Sequence, residues 1–154
     1  LSGIASFISG EPLPVNFQTT AATDITGSPT DGARIVVTGN PVLARGERTF
    51  SRFFRPDVFR LPARGTIGNA GRTIIRGPGV NNFDIAIFKD FPVREEIRFQ
   101  FRAELYNAFN HTQFSQVDNI ARFDPQGNQV NSRLGELTEA RDPRRIQLAL
   151  RFYF

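Results

Sequence analysis

The sequence predicts an all-β fold: an antiparallel meander of about four long strands that forms the C-terminal part of a large transmembrane β-barrel, with long loops on the extracellular side. Three observations carry that prediction. Apolar and polar residues alternate with period two over segments of about 9–11 residues, the length a tilted strand needs to cross a bilayer, whereas strands of soluble proteins most often have five or six. The apolar faces of three of those segments read as free of charge. The connections sort by length, short at one end and long at the other, as they do in outer-membrane barrels.

The first segment, residues 1–9, alternates least regularly and stops at Ser9-Gly10-Glu11-Pro12. Residues 10–81 read as a long irregular loop with most of the glycine and proline, among them Gly27-Ser28-Pro29, Gly65, Gly68, Gly71 and Gly77-Pro78-Gly79; only Ala33 to Val37 suggests a short strand. In residues 82–90, Phe83, Ile85 and Ile87 alternate with Asp84, Ala86 and the less regular Phe88. Phe91 to Glu95 then makes a hairpin turn. In residues 96–106, Ile97, Phe99, Phe101, Ala103 and Leu105 alternate with Glu96, Arg98, Gln100, Arg102 and Glu104. A helix competes here, because Ile97, Phe101, Leu105 and Phe109 recur every four residues, but it would set Phe99 on the charged face, roughly 200° from Ile97 at about 100° per residue. Residues 107–144 form the second long loop, with turn signals at Asp124-Pro125-Gln126-Gly127-Asn128 and Asp142-Pro143-Arg144. The last segment, residues 145–154, sets Ile146, Leu148, Leu150, Phe152 and Phe154 against Arg145, Gln147, Ala149, Arg151 and Tyr153.

A half-exposed soluble sheet also alternates. The length of the strands and their charge-free faces favour a bilayer, because an arginine or lysine facing lipid at the midplane costs roughly 2–4 kcal/mol while the lumen tolerates charge. Phe83, Ile85, Ile87, Ile97, Phe99, Phe101, Leu105, Ile146 and Leu148 are therefore expected to face lipid, and Arg98, Arg102, Glu104 and Arg151 the lumen. If Phe154 ends at the periplasmic side, antiparallel order places the turn at Phe91 to Glu95 in the periplasm and both long segments outside. Four strands cannot close a barrel, for which about eight is the small end. The chain is expected to be a wedge of a larger one, consistent with a start at Leu1 that shows neither an initiator methionine nor a signal-peptide pattern.

Composition limits the chemistry. The 154 residues include no cysteine, a single histidine, His111, and a single lysine, Lys89. Disulfide scaffolds, thiolate metal sites and cysteine nucleophiles are excluded. No segment approaches the roughly 20 consecutive apolar residues of a membrane-spanning helix. The formal charge of +4 comes almost wholly from arginine.

Several strings resemble the C-terminal barrel region of Oar-like TonB-dependent outer-membrane receptors. They are Gly68-Asn69-Ala70-Gly71-Arg72; Arg76-Gly77-Pro78-Gly79-Val80-Asn81-Asn82-Phe83-Asp84; Arg98-Phe99-Gln100-Phe101-Arg102-Ala103-Glu104 with Asn107-Ala108-Phe109-Asn110-His111; and Ala140-Arg141-Asp142-Pro143-Arg144-Arg145-Ile146-Gln147. They span most of residues 68–154; upstream, only Ser9-Gly10-Glu11-Pro12-Leu13 is similar. The resemblance implies a plugged barrel of roughly 22 strands that imports a bulky ligand of the siderophore, cobalamin or glycan class. It implies a TonB complex reached through an N-terminal plug outside this chain. Leu150, Phe152, Tyr153 and Phe154 resemble the C-terminal signal read by the barrel-assembly machinery, and a terminal strand with a free edge suits recognition by strand addition.

The remaining candidates are weaker. Gly65, Gly68 and Gly71 lack the Gly-Lys-Ser/Thr of a phosphate loop. His111 has no second histidine as a metal partner. Arg45, Arg48, Arg52, Arg55, Arg60 and Arg64 with Phe50, Phe53, Phe54 and Phe59 form the best basic and aromatic cluster, which reads as a solvated loop or a surface for an anionic ligand rather than a nucleic-acid site. No catalytic residue, metal or cofactor is expected. Outer-membrane lipid, the assembly machinery, the TonB complex and an imported ligand are the expected partners. The alternative is a secreted or surface β-rich binding module of adhesin type, which would need a second layer over Ile97, Phe99 and Phe101 from the strands at 1–9 and 82–90.

Overall fold

The computed structural model describes residues 1–22, 24–27 and 32–154, so part of the Gly27-Ser28-Pro29 turn lies outside the described residues. Its strands are β1 (Ser2–Ile8), β2 (Pro12–Leu13), β3 (Asn16–Thr19), β4 (Val36–Val37), β5 (Phe59–Arg60), β6 (Ile75–Arg76), β7 (Val80–Pro92), β8 (Arg98–Tyr106), β9 (Phe114–Val117), β10 (Ile120–Phe123), β11 (Leu137–Ala140) and β12 (Arg145–Tyr153). Two single-turn 3₁₀ segments are the only helical pieces among the described residues. The chain divides into two units: residues 1–9, 79–114 and 140–154, and residues 10–78 and 115–139.

The first unit is built on one antiparallel sheet in the order β1-β7-β8-β12. Its register pairs Ala5 with Phe83, Ile85 with Leu105, Phe91 with Phe99, and Ile146 with Leu105. The four long segments read from alternation are thus the four strands of this sheet. β7 is longer than expected, with 13 residues. It carries Phe91 and Pro92 that the sequence reading placed in the turn. Pro92 ends the strand, where its missing N–H costs no ladder bond. The turn is accordingly Val93 to Ile97, closed by Val93 N–H and Arg94 N–H donating to the Ile97 carbonyl at 2.8 and 3.1 Å. Ile97 therefore lies in the turn, not on the strand face to which it was assigned. Both long insertions leave and re-enter at the same end of the sheet, after Ile8 and before Val80, and after Tyr106 and before Arg145.

The two insertions depart most from expectation. Instead of remaining loops, they fold together. β2 pairs with β6, β4 with β5, β9 with β11, and β3 of the first insertion lies parallel to β10 of the second, with Asn16 opposite Ile120 and Thr19 opposite Phe123. Asn119 Nδ2 donates to the Pro14 carbonyl at 2.7 Å, and Phe53 N–H to the Gly135 carbonyl at 2.7 Å. The second unit has a core of its own, in which Ile35, Phe54, Phe59 and Phe123 are fully buried and Val15, Leu43, Ile75, Leu134 and Leu137 nearly so. Its strands hold only two to four residues, too few for periodicity to show. Gly68 is fixed by a backbone crossing: its φ is 78°, and a Cβ there would lie 1.9 Å from the Arg34 carbonyl oxygen.

Candidate membrane-spanning site

Successive strand residues point to opposite sides, so the register defines two faces. One carries Ala5 and Phe7 of β1; Phe83, Ile85, Ile87 and Phe91 of β7; Phe99, Phe101, Ala103 and Leu105 of β8; and Ile146, Leu148, Leu150 and Phe152 of β12. Every residue expected to face lipid, except Ile97, falls on it. These side chains are not covered as a soluble core would be. Leu148 is 63% and Leu150 68% exposed, and Phe99 and Phe101 remain 36% and 37% exposed. The second layer required by a soluble sandwich is not supplied by β1 and β7, which lie in the same sheet as β8.

Aromatic rings gather at both ends of this face. At the turn end, Phe152 lies 4.9 Å from Phe99 and 5.6 Å from Phe154, centroid to centroid. At the insertion end, Phe83 lies 5.5 Å from Phe7 and 5.2 Å from Phe109, both edge-on. Between them the face is aliphatic, apart from Phe101 and Lys89, whose ammonium lies 5.9 Å from the Phe91 ring. The charge-free reading of this strand face is therefore corrected at Lys89, which alternation carries to the apolar side opposite Phe101. Phe83 and Phe91 are separated along β7 by about 27 Å at roughly 3.4 Å per residue. With a strand tilt of about 40° that spans ~20 Å of depth, close to the roughly 25 Å apolar band of outer-membrane barrels.

The opposite face carries paired polar side chains on β7, β8 and β12, while β1 contributes the exposed Ile4 and Ile8 to it. Arg98, Arg102, Glu104 and Arg151, the expected lumen residues, all lie on it, with Gln100, Tyr106, Gln147 and Tyr153. Arg102 Nε donates to Glu104 Oε1 at 2.9 Å, and Tyr106 Oη donates to Glu104 Oε2 at 3.3 Å. Arg98 stacks 4.6 Å from the centre of the Tyr153 ring, and Gln100 Nε2 donates to Asp90 Oδ1 at 3.1 Å. Phe88, which broke the alternation, belongs here: the Arg102 guanidinium lies 5.0 Å over its ring, so an aromatic on the polar side becomes a cation–π platform. Of the four terminal residues singled out, Leu150 and Phe152 point to the apolar face, Tyr153 to the polar one, and Phe154 follows the strand at 94% exposure.

The residues that fix the insertion end escaped patterning. Asn107 and Asn110 take φ values of 50° and 52°, a left-handed conformation that asparagine tolerates. The buried Asn107 amide bonds His111 in both directions at 3.0 Å. Buried Gln113 accepts from Asn81 N–H at 2.9 Å, and its Nε2 lies 2.7 Å from His111 Nδ1. The two asparagines are a turn signal; Gln113 carries none.

In the second unit, the basic and aromatic cluster divides. Phe53, Phe54 and Phe59 are core residues and offer no exposed stacking platform, while Arg52 and Arg55 line an open cavity of about 600 Å³ with Asn40, Glu47 and Asp57. Arg55 pairs with Asp57 at 2.8 Å, and this bond holds the Asp57 carboxyl below its ordinary range. Such a lining offers both donors and acceptors to a polar ligand.

A sheet with one bare apolar face bounded by aromatic belts, one paired polar face and long insertions at a single end is the wall of a membrane barrel. Comparison with family profiles agrees: the outer membrane beta barrel domain matches residues 1–147. The chain belongs to the outer membrane beta barrel domain family. Its place is the bacterial outer membrane. No curated protein and no solved structure matches the chain. For an outer membrane beta barrel domain, the free edges of β1 and β12 are where neighbouring wall strands would pair, since four strands cannot close.

Proposed function

We propose that this outer membrane beta barrel domain is a wall segment of a TonB-dependent transporter that takes up a bulky ligand of the siderophore, cobalamin or glycan class. The observation that carries the reading is the union of the two insertions into one folded unit with an open polar cavity. A barrel that only filters small solutes has no need of such a unit, whereas capture of a bulky ligand requires a preformed outer surface. The motif series from Gly68 to Gln147 supports the same reading. In it, the apolar face meets lipid, the Arg98, Arg102, Glu104 and Arg151 face lines the path, and the insertions lie outside the cell. The TonB complex acts through a plug domain, and the barrel-assembly machinery reads the strand ending at Phe154.

The test is uptake of a labelled ferric siderophore, cyanocobalamin and a maltodextrin by cells making the full-length gene product, with and without a working TonB complex. Uptake of at least one that disappears without TonB is expected. Equal uptake in both backgrounds, or no contact of the gene product with TonB by cross-linking, refutes the proposal.

A further inference from the structure

The insertion end of the apolar face carries an uncompensated basic group. Arg141, Asp142 and Arg144 precede β12, whose first residue, Arg145, occupies Asp142 at 2.9 Å. Among the described residues neither Arg141 nor Arg144 has an ion-pair partner. Both are exposed, and both are held by their main chains. Arg144 N–H donates to Asn110 Oδ1 at 3.2 Å, and Arg141 N–H to the Gln113 carbonyl at 2.7 Å. Arg144 stands two residues before Ile146, at the position that continues the apolar row beyond the end of the strand. Phe109, beside Asn110 and 68% exposed, extends the aromatic belt at the same end.

The other end of the face differs. There Lys89, Arg94 and Arg98 stand among Asp90, Glu95 and Glu96, so no net charge is presented. One end of the membrane-spanning face thus carries two exposed arginines with anchored main chains and no ion-pair partner among the described residues, and the other offers balance. Guanidinium recognises phosphate oxygens in a bidentate manner, and cations at the polar edge of a bilayer are favoured where the facing leaflet is anionic.

We propose that Arg141 and Arg144, with Phe109 packing against the acyl side, form a binding site for the phosphorylated headgroup of an outer-leaflet lipid, the diphosphorylated glycolipid lipid A. This rests on the reading above that the insertions face outward. The phosphates accept from the two guanidiniums, and the acyl chains lie along Ile146, Leu148 and Leu150. The site fastens the wall to the leaflet in which it sits.

The experiment measures lipid A binding to the full-length gene product, purified folded in detergent, by native mass spectrometry and by titration. The Arg141→Gln/Arg144→Gln variant should bind lipid A roughly 25-fold more weakly, from about fivefold per arginine at a charged lipid surface. Because both side chains are exposed, its heat-shifted gel mobility should remain that of the wild type. The Lys89→Gln/Arg94→Gln variant should bind as the wild type does, and Arg141→Lys/Arg144→Lys, which keeps the charge but loses the bidentate fork, should bind between the wild type and the double glutamine variant. Undiminished binding by the double glutamine variant would overturn the proposal, as would displacement by millimolar inorganic phosphate. Equal binding to phosphatidylglycerol nanodiscs would overturn it too, by removing the outer-leaflet preference. Transport does not enter this readout, so a failure of TonB-dependent uptake leaves the result unaffected.

Discussion

Leu148 sits on the middle row of the apolar face, level with Ala103 and Ile87, about four residues from the aromatic belt at either end. At roughly 3.4 Å per residue and a tilt of about 40°, that is ~10 Å below each interface, near the limit from which an arginine can reach polar headgroups. Leu148→Arg should therefore destabilise the membrane-inserted barrel by about 2–4 kcal/mol. A soluble sheet would respond differently, since Leu148 is 63% exposed and an arginine on a wet surface costs within about 0.5 kcal/mol. The neighbouring Gln147→Arg provides the matched control. It points to the polar face and stands opposite Glu104, so it should change stability by less than about 0.5 kcal/mol. The assay is reversible folding of the full-length product into phospholipid vesicles over a guanidinium titration, followed by heat-shifted gel mobility. Equal midpoints for Leu148→Arg and wild type would refute the assignment of this face to lipid, as would a greater loss from Gln147→Arg.

Phe123→Ala removes a fully buried ring that packs against Phe17 at 6.1 Å; it should cost about 3–5 kcal/mol, read as protease sensitivity in residues 10–78 and 115–139 with the sheet intact by gel mobility. Gly68→Ala forces a Cβ onto the Arg34 carbonyl at a positive φ and should destabilise the same unit by more than about 1 kcal/mol, whereas Gly27→Ala, with open space around it, should cost less. Asp124 is held below its ordinary carboxylate pKa, first by the Asn128 side chain and then by backbone N–H groups of the turn. Its contribution is therefore complete above the unfolded value and lost as pH falls through the lowered one; amide exchange across residues 124–128 should accelerate only in that acid window, and Asp124→Asn should remove the pH dependence.

The long strands were legible because nine or more residues give alternation room to repeat, and a misplaced one such as Ile97 fails only where the turn takes over. Lys89 and Phe88 were harder. Each stands on the side its type disfavours, and only the register, with the Arg102 guanidinium over Phe88 and the Lys89 ammonium near Phe91, shows what compensates. The second unit was illegible for a different reason. Its partners are far apart in the chain, Asn16 with Ile120 among them, and its buried residues, Phe54, Phe59 and Leu134, follow no period because no strand is long enough to impose one. The same phenylalanines looked like part of a basic aromatic surface until burial was known. The arginines at the insertion end were visible as composition but not as a site, since the pairing of Asp142 with Arg145 decides which of them remain available.

The parallel pairing of β3 with β10 also sets an order of assembly. The β7–β8 hairpin closes across five residues and can form early, while β3 must find a partner about a hundred residues away, a search whose entropic cost grows with the intervening loop. Once β1, β7, β8 and β12 are paired, the four stems of the insertions lie within three strand spacings, ~15 Å, of one another. The long search then becomes a short one. Pairing of the four long strands thus shortens the search by which β3 finds β10.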